Sequence, residues 1–259
     1  MQLSVLGSGS GGNCMYIATQ STAILVDLGF GRRSLQRRLS QAEIGNQSIQ
    51  AILLTHGHSD HIRGVLPFLS KESVTIHMNQ GTRAEAPALQ SIDRWECFSS
   101  NSSFHVGDID VLPFEVSHDA TEPVGFHFSS HGVQGALVTD LGELTPKVTK
   151  NLSGCDWLVL ESNHDVELLK MGPYPLALKQ RVLSNQGHLS NQDLSLFLSS
   201  HFDRCATHLF LAHLSKQNNH PQIALDSAVQ ALAQNHPLLP PTCEVHLTHQ
   251  SIPSPEVNF

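Results

Sequence analysis

The stretch Thr55-His-Gly-His-Ser-Asp-His61 limits what this chain can fold into more than any other, because it sets three imidazoles and a carboxylate within residues 56–61. It follows directly on the apolar run Ala51-Ile-Leu-Leu54. Two histidines one residue apart, where a strand turns into a loop, can face one ion, while Asp60 and His61 further round the turn face a second. Neutral imidazole with carboxylate suits zinc, manganese or iron, and the lack of a thiolate argues against a closed structural zinc site. The pattern therefore predicts two metal ions and requires further ligands from elsewhere in the chain.

Those ligands are expected where other strands end. Asp110 to Ser117 reads as a strand followed by His118, Gly135 to Thr139 by Asp140, and Thr207 to Ala212 by His213. Asp156 to Glu161 is a further run, followed by Ser162-Asn-His-Asp165. In α/β sheets, groups just beyond the carboxyl ends of strands converge on one crevice. His56, His58 and His118 are assigned to one ion, Asp60, His61 and His213 to the other, and Asp140 bridges them. After the carboxylates and a bridging hydroxide are counted, net positive charge remains at such a site for an anionic substrate.

The residues that carry this pattern, together with Leu6-Gly-Ser-Gly-Ser-Gly-Gly-Asn13, Leu25-Val-Asp-Leu-Gly29, Val116 to Phe126, Leu160 to Asp165, Gly187-His-Leu-Ser-Asn191 and Leu211 to Asn219, resemble the YycJ/WalJ family of metallo-β-lactamase-fold metallohydrolases. The resemblance runs from about residue 3 to about residue 220. It implies an α/β fold, specifically a four-layer αββα sandwich, with a dinuclear site and 5′-to-3′ exonuclease activity on DNA, single strands favoured. The family pattern has Glu where this chain has Gly57 and Thr where it has Leu141, departures that remove no ligand and bear on substrate preference.

His188 precedes Ser190-Asn-Gln-Asp193, a capping box opening a helix whose apolar face runs through Leu194, Phe197 and Leu198. Backbone N–H groups and the helix dipole favour an anion there, so His188 is expected to bind a phosphate or protonate the leaving oxygen. Its placement resembles the histidine of the Gly-His-Ser-Thr motif in RNase Z, a phosphodiesterase of the same superfamily. Asp60 is the expected partner in catalysis, positioning the nucleophile. Asn163, His164, Lys216 and Asn219 are expected at the substrate, with a ligand-orienting role equally open for Asn163 and His164. Asp27 is expected to orient a ligand histidine or its loop. The Gly7–Asn13 segment lacks the Lys-Ser/Thr of a nucleotide-binding loop and reads as a hairpin.

A formal charge of −8 cuts against a broad nucleic-acid surface, so the grip on single-stranded DNA or another phosphodiester must be local. Arg32, Arg33, Arg37 and Arg38 are spaced to share one helix face and meet phosphates. The five cysteines form no Cys-x-x-Cys pair, and no apolar run of about 18 residues occurs. With Gln2–Leu6 opening as a strand rather than a leader, the chain reads as cytoplasmic, with no membrane partner. One domain over residues 1–259 is expected, with a loose tail from about 237 in which Glu244–Thr248 could add a strand. Helices are expected over 31–41, 175–183, 191–200 and 221–234. A small-ester, lactone or cyclic-phosphodiester hydrolase is the alternative reading, and a non-catalytic metal-bound module ranks last.

Overall fold

A computed structural model describes residues 1–45, 47–235 and 243–259. Its strands in chain order are β1 (Gln2–Gly7), β2 (Cys14–Ala18), β3 (Ala23–Val26), β4 (Ala51–Leu53), β5 (Thr75–Met78), β6 (Trp95–Cys97), β7 (Phe104–Val106), β8 (Ile109–Glu115), β9 (Val124–Ser130), β10 (Val133–Val138), β11 (Trp157–Glu161), β12 (His208–Ala212), β13 (Glu244–Leu247) and β14 (Val257–Asn258). The chain divides into two compact units: Met1–Glu115 with Ala120–Val133 and Thr248–Phe259, and Val116–Asp119 with Gln134–Leu247.

The first unit is built on the strand order β14-β1-β2-β3-β4-β5-β6. β1, β2 and β3 run antiparallel through tight connections, whereas β3 to β6 are parallel. Every side chain of β2 and β3 is buried, so these strands read as continuous apolar runs rather than alternating ones. Their core includes Leu25, Leu28, Ile52, Leu54 and Ile76. The parallel register sets Val26 beside Leu53, which brings the turns after β3 and β4 together. β7, β8 and β9 form an antiparallel meander in the same unit.

In the second unit β10, β11, β12 and β13 pair in parallel. Parallel strands put their carboxyl ends on one rim, so the residues following β10, β11 and β12 are neighbours by construction. Helix Asn191–Ser200 starts at Ser190, whose hydroxyl accepts from the Asp193 N–H, as the capping box predicts. The helices expected over 31–41, 175–183 and 221–234 occur as Arg32–Gln41, Leu176–Val182 and Pro221–Asn235.

Of the tail expected to be loose from residue 237, residues 237–242 lie outside the described residues. The suggested strand is present as β13, and β14 pairs with β1. The Ser254 hydroxyl accepts from the Val5 N–H at 2.9 Å, which ties this end of the chain to β1. Among the described residues no helix is long and apolar enough to cross a membrane.

The arginine face expected on the first helix is only partly available. Arg38 is buried, donates to the Leu6 carbonyl at 2.8 Å and lies 3.9 Å over the Phe30 ring, so its role is to hold that helix on β1. Arg32 pairs with Glu72 at 3.0 Å. Arg33 and Arg37 alone of the four are exposed.

Candidate metal centre

In the first unit the site grows from Asp27, the residue after β3, which adopts φ 58°. A left-handed backbone at a non-glycine residue costs on the order of 1–2 kcal/mol, and here it turns the carboxylate back across the end of β4. Asp27 Oδ1 accepts from the Thr55 N–H at 2.9 Å and Oδ2 from the Thr55 hydroxyl at 2.9 Å. His61 Nδ1 lies 2.8 Å from the same Oδ2, and His56 Nδ1 lies 3.0 Å from Thr55 Oγ1. Since the single hydroxyl hydrogen of Thr55 goes to Asp27, the hydroxyl oxygen must accept from His56. Both rings therefore keep their hydrogen on Nδ1 and offer Nε2 as the coordinating nitrogen. Asp27 thus has the orienting role expected of it.

His58 stands edge-on to His56 with ring centres 4.6 Å apart, and Asp60 Oδ2 lies 3.7 Å from His61 Nε2. One residue of this group was not anticipated. The Asn13 amide nitrogen lies 3.3 Å from Asp60 Oδ2 and 2.9 Å from His61 Nε2, and its oxygen accepts from the Gly9 N–H at 2.7 Å. The positive end of the amide thus points at the same carboxylate and lone pair that a cation would seek, so the donor set fits a divalent metal. The Gly7–Asn13 segment joins the antiparallel β1 and β2, and Asn13 ties it to Asp60 and His61. Beside His58, Glu85 fills the space that a side chain on residue 57 would need, its Oε2 2.8 Å from a Cβ built on Gly57.

Gly29 fixes the height of Asp60. A Cβ there would stand 1.7 Å from the Asp60 carbonyl oxygen and 2.6 Å from the Asn13 backbone nitrogen. Gly29→Ala is expected to lower stability by about 2–3 kcal/mol, read as a shift of the urea midpoint, because the obstructing atoms are backbone and cannot swing aside. A cost below about 0.5 kcal/mol would contradict this close packing.

In the second unit the three parallel strand ends supply Asp140, Glu161 and His213. Asp140 and His213 sit at φ 57° and 56°, the same left-handed turn that Asp27 makes. Asp140 Oδ1 lies 3.5 Å from His213 Nδ1, 3.7 Å from His188 Nδ1 and 3.9 Å from His118 Nε2. His118 Nδ1 lies 3.0 Å from the Gly187 carbonyl, which can only accept, so this ring too has Nε2 as the nitrogen it could offer to a metal. Burial lowers the His118 pKa, which favours the neutral ring.

Glu161 is the functional residue that the sequence reading missed. It is wholly buried, and its Oε1 accepts from His188 Nδ1 at 2.8 Å and from His213 Nδ1 at 2.9 Å. Its Oε2 accepts from the Leu141 N–H at 2.9 Å. One carboxylate therefore fixes the tautomer of His213 and the orientation of the expected acid. Burial alone would raise the Glu161 pKa, but the charge and hydrogen bonds of His188 and His213 outweigh it and hold the group at about 2. For His188, burial opposes the charged ring, yet the charge and hydrogen bond of Glu161 prevail and raise its pKa. The signal available was an acid closing the otherwise apolar Trp157-Leu-Val-Leu160 run.

The residues expected at the substrate divide. His188 keeps about a fifth of its side chain exposed, with Nε2 turned away from the Nδ1 contact with Glu161. Lys216 is exposed. Asn219, by contrast, is buried and donates to the Ser162 and Asn163 carbonyls at 2.9 and 3.0 Å while exchanging hydrogen bonds with Asn191. It braces the loops after β11 and β12 rather than meeting a substrate, because its amide is already committed. Asn163 donates to the His213 carbonyl at 2.8 Å and so steadies that residue. His164 is 1 % exposed, and burial lowers its pKa.

A β-lactamase superfamily domain model matches residues 22–194. Exodeoxyribonuclease YycJ of Bacillus anthracis is 36% identical over 257 residues, which cover 98% of this chain and 97% of that protein. Exodeoxyribonuclease WalJ of Streptococcus pneumoniae (strain D39) is 35% identical, over 89% of this chain and 88% of its own length. Among solved structures, the metallo-β-lactamase fold protein YhfI of Bacillus subtilis superposes with a TM-score of 0.71 at 16% identity, covering 97% of this chain and 98% of its own. That likeness establishes the fold class expected from the sequence.

Proposed function

This chain belongs to the YycJ/WalJ family of metallo-β-lactamase-fold hydrolases, and we propose that it is a 5′-to-3′ exodeoxyribonuclease preferring single strands, working in the cytoplasm with two divalent ions. At the coarser level it is a metal-dependent phosphodiester hydrolase. The observation that carries the hydrolytic reading is the pairing of two kinds of histidine. His56, His61 and His118 have Nδ1 committed to an acceptor and offer Nε2, as neutral ligands do, and His213 is held likewise by Glu161. His188, on the same carboxylate, is biased toward its charged form, which suits a phosphate contact and a proton donor.

In this reading His56, His58 and His118 would hold one ion, Asp60, His61 and His213 the other, and Asp140 would serve both. Zinc, manganese and iron all suit these donors. When bound, the ions polarise the phosphoryl group and make water a nucleophile at neutral pH. Asp60 accepts a hydrogen bond from the attacking water and aligns it. His188 holds a proton at Nε2, contacts the phosphate and delivers that proton to the leaving oxygen, while Glu161 keeps the ring oriented and charged. Exposed Lys216 meets the strand electrostatically, a local grip in a chain whose formal charge is −8. The five cysteines are all free thiols, in keeping with a reducing compartment.

The test is digestion of 5′-phosphorylated single-stranded DNA, labelled at either end, by manganese-loaded protein beside an identically purified Asp60→Ala control. Short products released from the 5′ end, absent in the control and after chelation, are expected. Intact DNA alongside cleaved small phosphodiesters or esters would move the activity to small molecules.

A further inference from the structure

Residues 1–42 hold a single acid, Asp27, against four arginines, in a chain whose formal charge is −8. Within the first unit the structure sorts those arginines to different flanks of the helix Arg32–Gln41. Arg32 lines one groove together with Glu43 and Glu72, and Glu72 pairs with it at 3.0 Å. Buried Arg38 donates through Nε to the Ser34 hydroxyl at 3.2 Å and through Nη1 to the Leu6 carbonyl at 2.8 Å. The Ser34–Arg38 edge of the helix therefore faces the end of β1, where the Gly7–Asn13 segment begins. At about 100° of turn per residue, Arg37 stands roughly 60° round from Ser34 and Arg33 roughly 100°, both on the solvent side of that edge, whereas Arg32 is roughly 160° away. Arg33 and Arg37 are exposed, and neither has an acidic partner among the described residues.

Arg63 is a third exposed arginine of this unit, placed beside the same segment. It donates through Nε to the Gly29 carbonyl at 2.6 Å and through Nη2 to the Gly11 carbonyl, which pins the Gly7–Asn13 segment to the turn after β3. Backbone bonds lock the same neighbourhood: the Asn13 N–H donates to the Asp60 carbonyl and the Gly29 N–H to the Asn13 carbonyl, each at 2.8 Å. Two carbonyls occupy two of the five guanidinium N–H groups, which leaves donors for an outside acceptor.

We propose that Arg33, Arg37 and Arg63 form a phosphate track, beside the Gly7–Asn13 segment, that guides single-stranded DNA toward Asp60, an inference that rests on the exodeoxyribonuclease reading and extends it from the scissile phosphate to its neighbours. Side chains four residues apart on a helix stand about 6 Å apart, close to the separation of successive phosphates along an extended strand, so Arg33 and Arg37 can each meet one. The guanidinium fork suits two phosphate oxygens at once. Charge selects the flank: the groove beside Arg32 carries the acids Glu43 and Glu72 and would repel the strand, while the flank beside the Gly7–Asn13 segment carries unpaired cations. The competing account is a solvated helix face on which these arginines meet only water.

The experiment measures kcat/KM against salt for labelled single-stranded DNA with the full-length, manganese-loaded protein, comparing wild type, the double variant Arg33→Gln/Arg37→Gln and Arg32→Gln. Losing two phosphate contacts is expected to make the slope of log(kcat/KM) on log[salt] shallower by about 1.4 and to lower kcat/KM at low salt by about tenfold, through KM with kcat unchanged. Arg32→Gln, which removes the same kind of charge from the other flank, is expected to leave the slope as in wild type. Hydrolysis of bis(p-nitrophenyl) phosphate, too small to reach past the metals, is expected to be equal in all three proteins and reports that the variants fold. DNA cleavage with one slope in all three would overturn the track and leave the nuclease reading standing. An equal change per charge in Arg32→Gln would overturn it in favour of diffuse attraction. An altered oligomeric state with unmoved DNA kinetics would give the face to a second copy. A wild type that cleaves only the small diester would bring down the nuclease reading and the track together.

Discussion

Asp140→Asn is expected to cut kcat/KM for DNA hydrolysis by about a thousandfold or more while leaving the fold intact. The replacement is isosteric, and Asn tolerates the left-handed backbone that Asp140 adopts at φ 57°, so the turn after β10 is preserved. What changes is charge. The Asp140 carboxylate lies within 4 Å of His118, His188 and His213, and under the proposed ligand set a neutral amide would neither serve two cations nor offset a charged His188. Losing several kcal/mol of charge stabilisation reads as about three decades of rate. Steady-state hydrolysis of labelled DNA, with circular dichroism, a thermal melt and metal content on the same samples, checks this. A loss of tenfold or less would remove Asp140 from the ligand set.

Glu161→Gln is expected to cost about a hundredfold and to change the shape of the pH profile. The carboxylate accepts from two imidazoles and from the Leu141 N–H, whereas Gln has one acceptor oxygen and an added donor. The loss falls on ligand orientation at His213 and on proton supply at His188 together. The direction of the pH effect follows from the His188 shift. An acid must be protonated to act, so the rate falls as pH rises through the His188 pKa. Glu161 raises that pKa in the wild type, and removing its charge moves the alkaline fall to lower pH. A merely structural Glu161 would lower the rate equally at every pH, and an unmoved alkaline limb would refute the assignment. Circular dichroism on the variant guards against simple misfolding.

The parts of the site that were legible in the sequence were those whose chemistry and placement coincide. Asp60 and His61 follow an apolar run within a few residues, and Asp140 and His213 each follow a strand that pattern alone identifies. Residues acting through other residues were harder to see. Glu161 closes an apolar strand much as a solvent-facing acid would, and only the parallel register of β10, β11 and β12 shows that it lies between two histidines. Asn13 lies 47 residues before Asp60, and no spacing rule links them. Asn219 misled for the opposite reason: a polar residue after a ligand suggests a substrate contact, but burial spends its amide on neighbouring loops.

The fold shows the same division. The helices Arg32–Gln41, Leu176–Val182, Asn191–Ser200 and Pro221–Asn235 were found to within a residue or two, while Pro146–Leu152 was not. Its signal, Thr145 capping the Val148 N–H with Pro146 at the first turn, is weak without a long apolar face behind it. β5 and β6 were also missed. Their few residues gain stability from neighbours distant in sequence, which periodicity does not register.

Asp27, Asp140 and His213 each take a backbone conformation in which glycine would be more at ease. The three positions that hold the site are therefore also those where the chain gives up stability. A library screened only for heat resistance would drift toward glycine or asparagine at all three, and its hardiest survivors would be silent. Durability and activity select different letters at these turns, so improvement of this protein requires both to be scored on every clone.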